Sequence, residues 1–182
     1  MGSGAGIFCS ISLNTVLTEE QRARYQDSDL IRKLLGEAKT IAVYGLSSDR
    51  QRASYFVASY LKDEGYKIIP VNPKGGEILG EKVYPDLQSI PEKVDIVDVF
   101  RPSNEVPEIV DQAIAKGVSV IWTQLRIIDL VAAGRAEKAG IRVIMDKCIK
   151  MEHGRYFGTL HWGGMNTEII SARKAKCGHG VA

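Results

Sequence analysis

Two polar stretches carry the residues best suited to chemistry. The first is Gly45-Leu46-Ser47-Ser48-Asp49-Arg50-Gln51-Arg52-Ala53-Ser54, which brings a glycine, three hydroxyls and two guanidiniums together directly after the apolar run Ile41-Ala42-Val43-Tyr44. The second is Val71-Asn72-Pro73-Lys74, a proline-fixed corner that ends in a cation and closes the run Lys67-Ile68-Ile69-Pro70-Val71. Backbone amides at a helix start carry partial positive charge, so a polar turn leading into a helix favours an anion. A fold that reads NAD would want G-x-G-x-x-G in the first turn and an acid at the end of the second strand for the ribose hydroxyls. Here Ser47 stands in place of the second glycine, and the second run ends in neutral Asn72, then Pro73 and Lys74. A cation at that corner suits an adenosine whose ribose is itself phosphorylated, as in coenzyme A (CoA) or NADP.

Such residues need rigid elements behind them. The runs 41–44 and 67–71 read as buried strands, with a helix over 55–64 between them and Gly65 as its stop. Within that helix Phe56, Val57, Tyr60 and Leu61 recur at helical spacing and are expected in the core. Thr18 caps a first helical turn, and Asp27-Ser28-Asp29 opens a helix with Leu30, Ile31, Leu34 and Leu35 on one stripe. Residues 75–91, punctuated by Gly80, Pro85 and Pro91, read as an irregular surface loop. A third strand over 95–100 follows, and then a helix capped by Ser103 or Asn104 with Val106, Ile109, Val110, Ala113 and Ile114 inward. A fourth strand over 118–122, a helix capped by Asp129 and a fifth strand over 141–145 complete the pattern.

This alternation predicts an α/β fold: a doubly wound, parallel, five-stranded Rossmann-like sheet, with 3-2-1-4-5 as the expected strand order. Ligands then sit beyond the carboxyl ends of the strands where the winding reverses, here expected between the first and fourth strands. The loops at that edge are 45–54, 71–74, 100–104, 123–126 and 146–150. They hold four arginines and three lysines against only Asp49 and Asp146, a balance that favours a polyanionic ligand.

The chain has 182 residues, 45% hydrophobic, with a net charge of +2, which gives no argument for nucleic acid and fits one compact domain. The segment 7–17 lacks a basic leader and is broken by Ser10, Ser12 and Asn14, so neither a signal peptide nor a membrane span is expected. Cys9, Cys148 and Cys177 form an odd, sparse set that suits reduced thiols in a cytoplasmic protein, and they make no zinc spacing with His153, His161 or His179. Residues 1–26 read as a flexible leader and extension, 27–153 as the ligand-binding domain and 154–182 as a further extension.

Four segments carry a family resemblance: Ile41-Ala42-Val43-Tyr44-Gly45-Leu46-Ser47, Pro70-Val71-Asn72-Pro73, Val97-Asp98-Val99-Phe100-Arg101 and Met145-Asp146-Lys147-Cys148-Ile149-Lys150-Met151-Glu152-His153. Together they resemble the CoA-binding protein family, free-standing relatives of the CoA-binding domain in the succinyl-CoA synthetase alpha subunit. The resemblance runs from about residue 29 to 174 and includes Gly163-Gly164-Met165-Asn166-Thr167. It implies that Gly45, Ser47 and Ser48 hold phosphates; Arg50 and Arg52, from their position in the glycine turn, and Leu46 and Ser54 of the same turn are further cofactor-binding candidates. It further implies that Val71, Asn72, Pro73 and Lys74 take the adenosine end and that Phe100 and Arg101 form its far wall. Gln124-Leu125-Arg126 departs from the Gln-Leu-Gly common in that family, so the pantetheine path past Gln124 is expected to differ. The chain leaves no room for the synthetase's second domain, so ligase chemistry is not expected; CoA or an acyl-CoA is the expected partner.

Cys148, just past the fifth strand at the expected mouth of the site, has three readings: a residue facing a pantetheine thiol of the cofactor, a nucleophile, or a buried small hydrophobe. Glu152 and His153 read as a surface pair, because five residues along a helix do not put His153 on the face of Cys148. Two rivals to a non-catalytic CoA module remain open at this point: an NAD(P)-binding redox sensor on the same fold, and an acyl-transfer enzyme using Cys148.

Overall fold

The computed structural model describes residues 17–158. The leader, Cys9, Cys177, His161, Trp162 and the Gly163-Gly164 segment lie outside the described residues. A five-stranded parallel sheet is formed by β1 (Thr40–Tyr44), β2 (Lys67–Val71), β5 (Ile96–Val99), β6 (Val120–Thr123) and β7 (Arg142–Ile144). Helices cover both faces. On one lie α2 (Ser28–Glu37), α3 (Ala53–Asp63) and α6 (Ile149–Tyr156), which bury Ile41, Val43, Ile96 and Trp122; on the other lie α1 (Glu19–Tyr25), α4 (Val106–Lys116) and α5 (Leu130–Lys138), which bury Ala42, Val97, Val99 and Ile121. Neighbours along each strand point to opposite faces, the period of two that the apolar runs imply.

The expected α/β Rossmann-like class is present, but the strand order is β2-β1-β5-β6-β7. Counted over the five long strands this is 2-1-3-4-5, a correction to 3-2-1-4-5: the third long strand pairs with the first instead of lying outside the second. Pro70 explains much of this. Proline cannot donate to a ladder and is confined to edges; here the Pro70 carbonyl faces outward and accepts from the Tyr84 N–H at 2.9 Å. The strand Ile96-Val97-Asp98-Val99, buried at all four positions, takes the interior place instead. The winding therefore reverses between β1 and β5, which puts the loops after those two strands side by side.

Local chemistry sets the helix ends. Thr18 and Gln21 form a reciprocal capping box on α1, Asp27 accepts from the Leu30 N–H at 2.6 Å, and Asp129 accepts from the Ala132 N–H at 2.8 Å. Helix α1 belongs to the fold: Tyr25 is buried and its carbonyl accepts from the Met145 N–H at 3.1 Å.

Four expectations need correction. Residues 75–91 contain a hairpin, β3 (Glu77–Ile78) and β4 (Glu81–Lys82), turned by Leu79 and Gly80 with φ of 57° and 74°. Both turn residues are left-handed, as a two-residue hairpin demands, and a leucine there hides the signal. Ser103 does not cap α4; its Oγ accepts from the Ile128 N–H at 3.0 Å while residues Ser103–Glu105 form a 3-10 turn. Phe56 is 60% exposed, because the buried stripe of α3 is Ser54, Val57, Ala58 and Leu61, one position off its ring. Glu152 and His153 are both buried, on separate partners.

Candidate functional site

The carboxyl edge of β2, β1 and β5 gathers three of the expected segments. Gly45 leaves β1 with φ +89°, and its N–H donates to the Val71 carbonyl at 2.8 Å. A Cβ here would lie 2.7 Å from the Arg101 side chain, so the glycine serves both a left-handed backbone and a close approach. Leu46 and Val71 are fully buried and form the floor. Above them the turn holds itself: the Ser47 N–H donates to Ser54 Oγ (3.1 Å), the Asp49 N–H to Ser47 Oγ (3.1 Å) and the Gln51 N–H to Asp49 Oδ1 (2.9 Å). Ser48 and Arg50 are exposed, with the Arg50 guanidinium 6.0 Å from the Tyr55 ring centroid. Arg52, the cap residue of α3, offers no side-chain bond to the helix start. A guanidinium cannot accept, so it leaves the first-turn amides without a side-chain acceptor.

Asn72 ties the corner to the turn. Its Nδ2 donates to the Leu46 carbonyl (2.9 Å) and its Oδ1 accepts from the Lys74 N–H (3.0 Å), leaving Pro73 and Lys74 exposed. Phe100 is half-buried, its N–H donating to the Tyr44 carbonyl at 2.9 Å. Arg101 lies against Gly45 in a two-pronged pair with Glu105, at 2.7 and 2.9 Å, which raises the guanidinium pKa further. Glu105 carried no signal in the sequence, since only the 3-10 turn brings it under Arg101. Among the described residues Arg50, Lys74, Arg126 and Lys150 enter no ion pair, whereas Arg52 stands 3.8 Å from Asp49 and Lys147 lies 3.5 Å from Glu152.

Gln124 and Cys148 share this sheet edge but lie one and two strands beyond β5, in different surroundings. Gln124 is buried and its Nε2 donates to Asp98 Oδ1 at 2.7 Å. Asp98 is 0% exposed, its Oδ2 has no partner, and burial pushes its pKa to about 7, a rise that the Gln124 bond only partly offsets. The readable signal was an acid inside an otherwise apolar central strand. Cys148 is half-buried at the start of α6, and burial pushes its thiol up.

The segment that follows is a clamp. Lys147, Glu152 and Arg155 form a network with Glu152 Oε2 3.0 Å from Arg155, both side chains sealed from water. The Trp122 indole donates to the Lys147 carbonyl at 2.7 Å, and Asp146 Oδ1 accepts from the Arg126 N–H at 2.6 Å. Asp146 and Arg126 both have positive φ, 57° and 65°. Arg126 thus occupies the left-handed place that glycine would fill, held by Asp146. His153 bonds Tyr60 through Nδ1 at 3.0 Å and packs edge-on to Tyr66; burial lowers its pKa. It also lines a cavity of about 600 Å³ at the amino edge of the sheet, which no candidate site residue lines. No group of three or more His, Cys, Asp or Glu side chains among the described residues is placed to hold a metal.

Comparison with known proteins adds that residues 39–154 match the family model described as the CoA binding domain. The chain belongs to that family. The expected site residues, from Gly45 to Cys148, lie inside the matched span. An uncharacterized protein of Bacillus subtilis, YneT, is 39% identical over 123 residues, which cover 68% of this chain and 91% of that one. A hypothetical protein of Pyrococcus horikoshii superposes with a TM-score of 0.70 at 38% identity, covering 72% of this chain and 92% of the other. The ADP-forming acetate–CoA ligase II of Archaeoglobus fulgidus is 31% identical over 159 residues, 84% of this chain but only 22% of the ligase. The family thus spans short chains and segments of much longer ligases. No helix among the described residues is long and apolar enough to cross a membrane.

Proposed function

We propose that this chain binds coenzyme A or an acyl-CoA at the carboxyl edge of β2, β1 and β5, as a carrier, sensor or regulatory module without ligase chemistry of its own. The observation that carries the reading is the helix start at Ala53, left without a side-chain cap and preceded by exposed Arg50, with exposed Lys74 on the corner that Asn72 ties to the same turn. An uncapped helix start and exposed cations suit the pyrophosphate and ribose phosphate of CoA. Asn72 orients the two loops toward each other, and Gly45 lets Arg101 close the floor between them. Arg101 is already neutralised by Glu105, so the ribose phosphate falls to Lys74.

The NAD reading loses ground because both polar atoms of Asn72 are committed internally and no acid replaces it at the strand end. Acyl transfer through Cys148 loses ground because burial holds that side chain as a thiol. Calorimetry on the full chain with CoA, dephospho-CoA, NAD and NADP tests the proposal. CoA should bind roughly tenfold or more tightly than dephospho-CoA, the scale of one charge-assisted contact. Equal affinity for the two would remove Lys74 from the site, and tighter binding of NADP than of CoA would overturn the reading.

A further inference from the structure

The cavity of about 600 Å³ at the amino edge of the sheet lies opposite the candidate CoA edge. Thr40 and Lys67, the first residues of β1 and β2, line it, with the C-terminal ends of α2 at Gly36 and of α3 at Glu64. Its wall carries the imidazole of His153, a residue only 4% exposed. That ring stands edge-on to Tyr66 and tilted against Phe157, with centroids 5.4 Å away in both cases, and both of these residues line the cavity as well. His153 Nδ1 meets the Tyr60 hydroxyl at 3.0 Å, whereas Nε2 has no partner among the described residues and is not one of their sealed polar atoms. A buried ring nitrogen left open to a cavity of this size is a contact for a ligand.

The charge of Glu64 reaches both Tyr60 and His153. A carboxylate so placed draws the Tyr60 hydroxyl hydrogen toward itself, so the Tyr60 oxygen accepts from Nδ1–H. Burial keeps the imidazole neutral, and Nε2 is left with a lone pair. The lysines and the carboxylate lining the cavity are Lys39, Lys67 and Glu64. Lys67 is held by Glu92, so exposed Lys39 and exposed Glu64 balance one another and the helix ends decide the sign. Helix C-termini favour cations. The last turn of α2 has no basic residue, and Lys62, in the last turn of α3, is drawn away by Glu81 and the Leu79 carbonyl, each at 2.7 Å. Two negative helix ends, a lone pair and the rings of Tyr66 and Phe157 thus surround one space, which suits a cation with an apolar body. We propose that this cavity is a second ligand site, which takes a small organic ammonium ion, a primary amine with an apolar body, whose N–H donates to His153 Nε2. The ammonium charge lies against the ends of α2 and α3, and the apolar body lies against Tyr66 and Phe157.

Because the cavity and the CoA edge lie at opposite ends of the strands, this site stands or falls apart from the CoA reading. The full chain, labelled with nitrogen-15, is titrated at about pH 7.5 with benzylamine, which is charged there, and separately with benzyl alcohol and benzoate, which keep the ring but lose or reverse the charge. Long-range proton–nitrogen spectra read the imidazole nitrogens, and His161→Gln and His179→Gln, both outside the described residues, identify His153 by elimination. The expected result is a His153 Nε2 without a proton in the free protein, shifted by benzylamine along a saturable curve with a roughly millimolar Kd, about tenfold tighter than benzyl alcohol and with no response to benzoate. Glu64→Gln, an exposed substitution, should weaken benzylamine about threefold. A proton resident on Nε2 of the free wild type, a measurement that needs no variant of the site to fold, would overturn the proposal. So would benzyl alcohol or benzoate binding as tightly as benzylamine, or an unchanged affinity in Glu64→Gln. No response of His153 to benzylamine up to about 20 mM would overturn it too, as would follow if residues 159–182 filled the cavity themselves.

Discussion

The carboxyl edge of this sheet has two halves that differ in almost every physical respect. Over β2, β1 and β5 the loops are exposed, cationic and held by short-range bonds from Ser47, Asp49, Ser54 and Asn72 to nearby backbone. Toward β6 and β7 several polar groups are sealed instead: Asp98 of β5 on Gln124, Glu152 between Lys147 and Arg155, and Trp122 on the Lys147 carbonyl. Both halves are rich in residues that read as functional. Exposure separates them, because a charge in water remains available to a ligand whereas a buried charge is committed to the partner that makes its burial tolerable.

Breaking the sealed half should cost the most. Glu152→Ala leaves Arg155 and Lys147 without their carboxylate and should destabilise the protein by about 3 to 5 kcal/mol in urea unfolding. Replacement of the exposed Arg50 by Ala should move stability by less than about 0.5 kcal/mol. An equally small loss for Glu152→Ala would erase the contrast between the halves.

Asp98 sharpens the comparison through pH. Its folded pKa, about 7, lies above the ordinary carboxylate value, so the native state holds more protons than the unfolded state between about pH 4 and 7. Its contribution to stability is present below the unfolded pKa and is lost as pH rises through 7. Asp98→Asn keeps an acceptor for Gln124 and cannot ionise. It should therefore be more stable than the wild type by roughly 2 to 4 kcal/mol at pH 8 and nearly equal at pH 4. Thermal melts across that range check this, and parallel curves would mean that Asp98 titrates normally.

In the exposed half the effects should be smaller and fall on binding. Gly45→Ala forces a side chain onto φ +89° and against Arg101, whose fork Glu105 holds in place. It should cost about 1 to 3 kcal/mol of stability and weaken CoA binding with it. Lys74→Ala should leave the melting temperature unchanged and weaken CoA about tenfold while sparing dephospho-CoA. Equal weakening of both ligands in calorimetry would move the ribose phosphate elsewhere.

Much of this was legible in the chain. Local physics sufficed for β1 and β2, for the caps Thr18, Asp27 and Asp129, and for the turn and corner around Gly45 and Asn72, because each depends on neighbours a few residues away. The strand order was not legible in full, although Pro70 already argued for an edge: which strand lies beside β1 is settled by long-range burial of Ile96–Val99. Glu105 under Arg101, the hairpin hidden by Leu79, the outward turn of Phe56 and the sealing of Glu152 and His153 likewise came only from tertiary packing. Sequence by itself determined the chemistry available along the edge, its glycine turn, its hydroxyls and its excess of cations. Tertiary structure decided which of those charges stay in water to meet a ligand, since burial depends on what packs above a residue and not on what stands beside it in the chain.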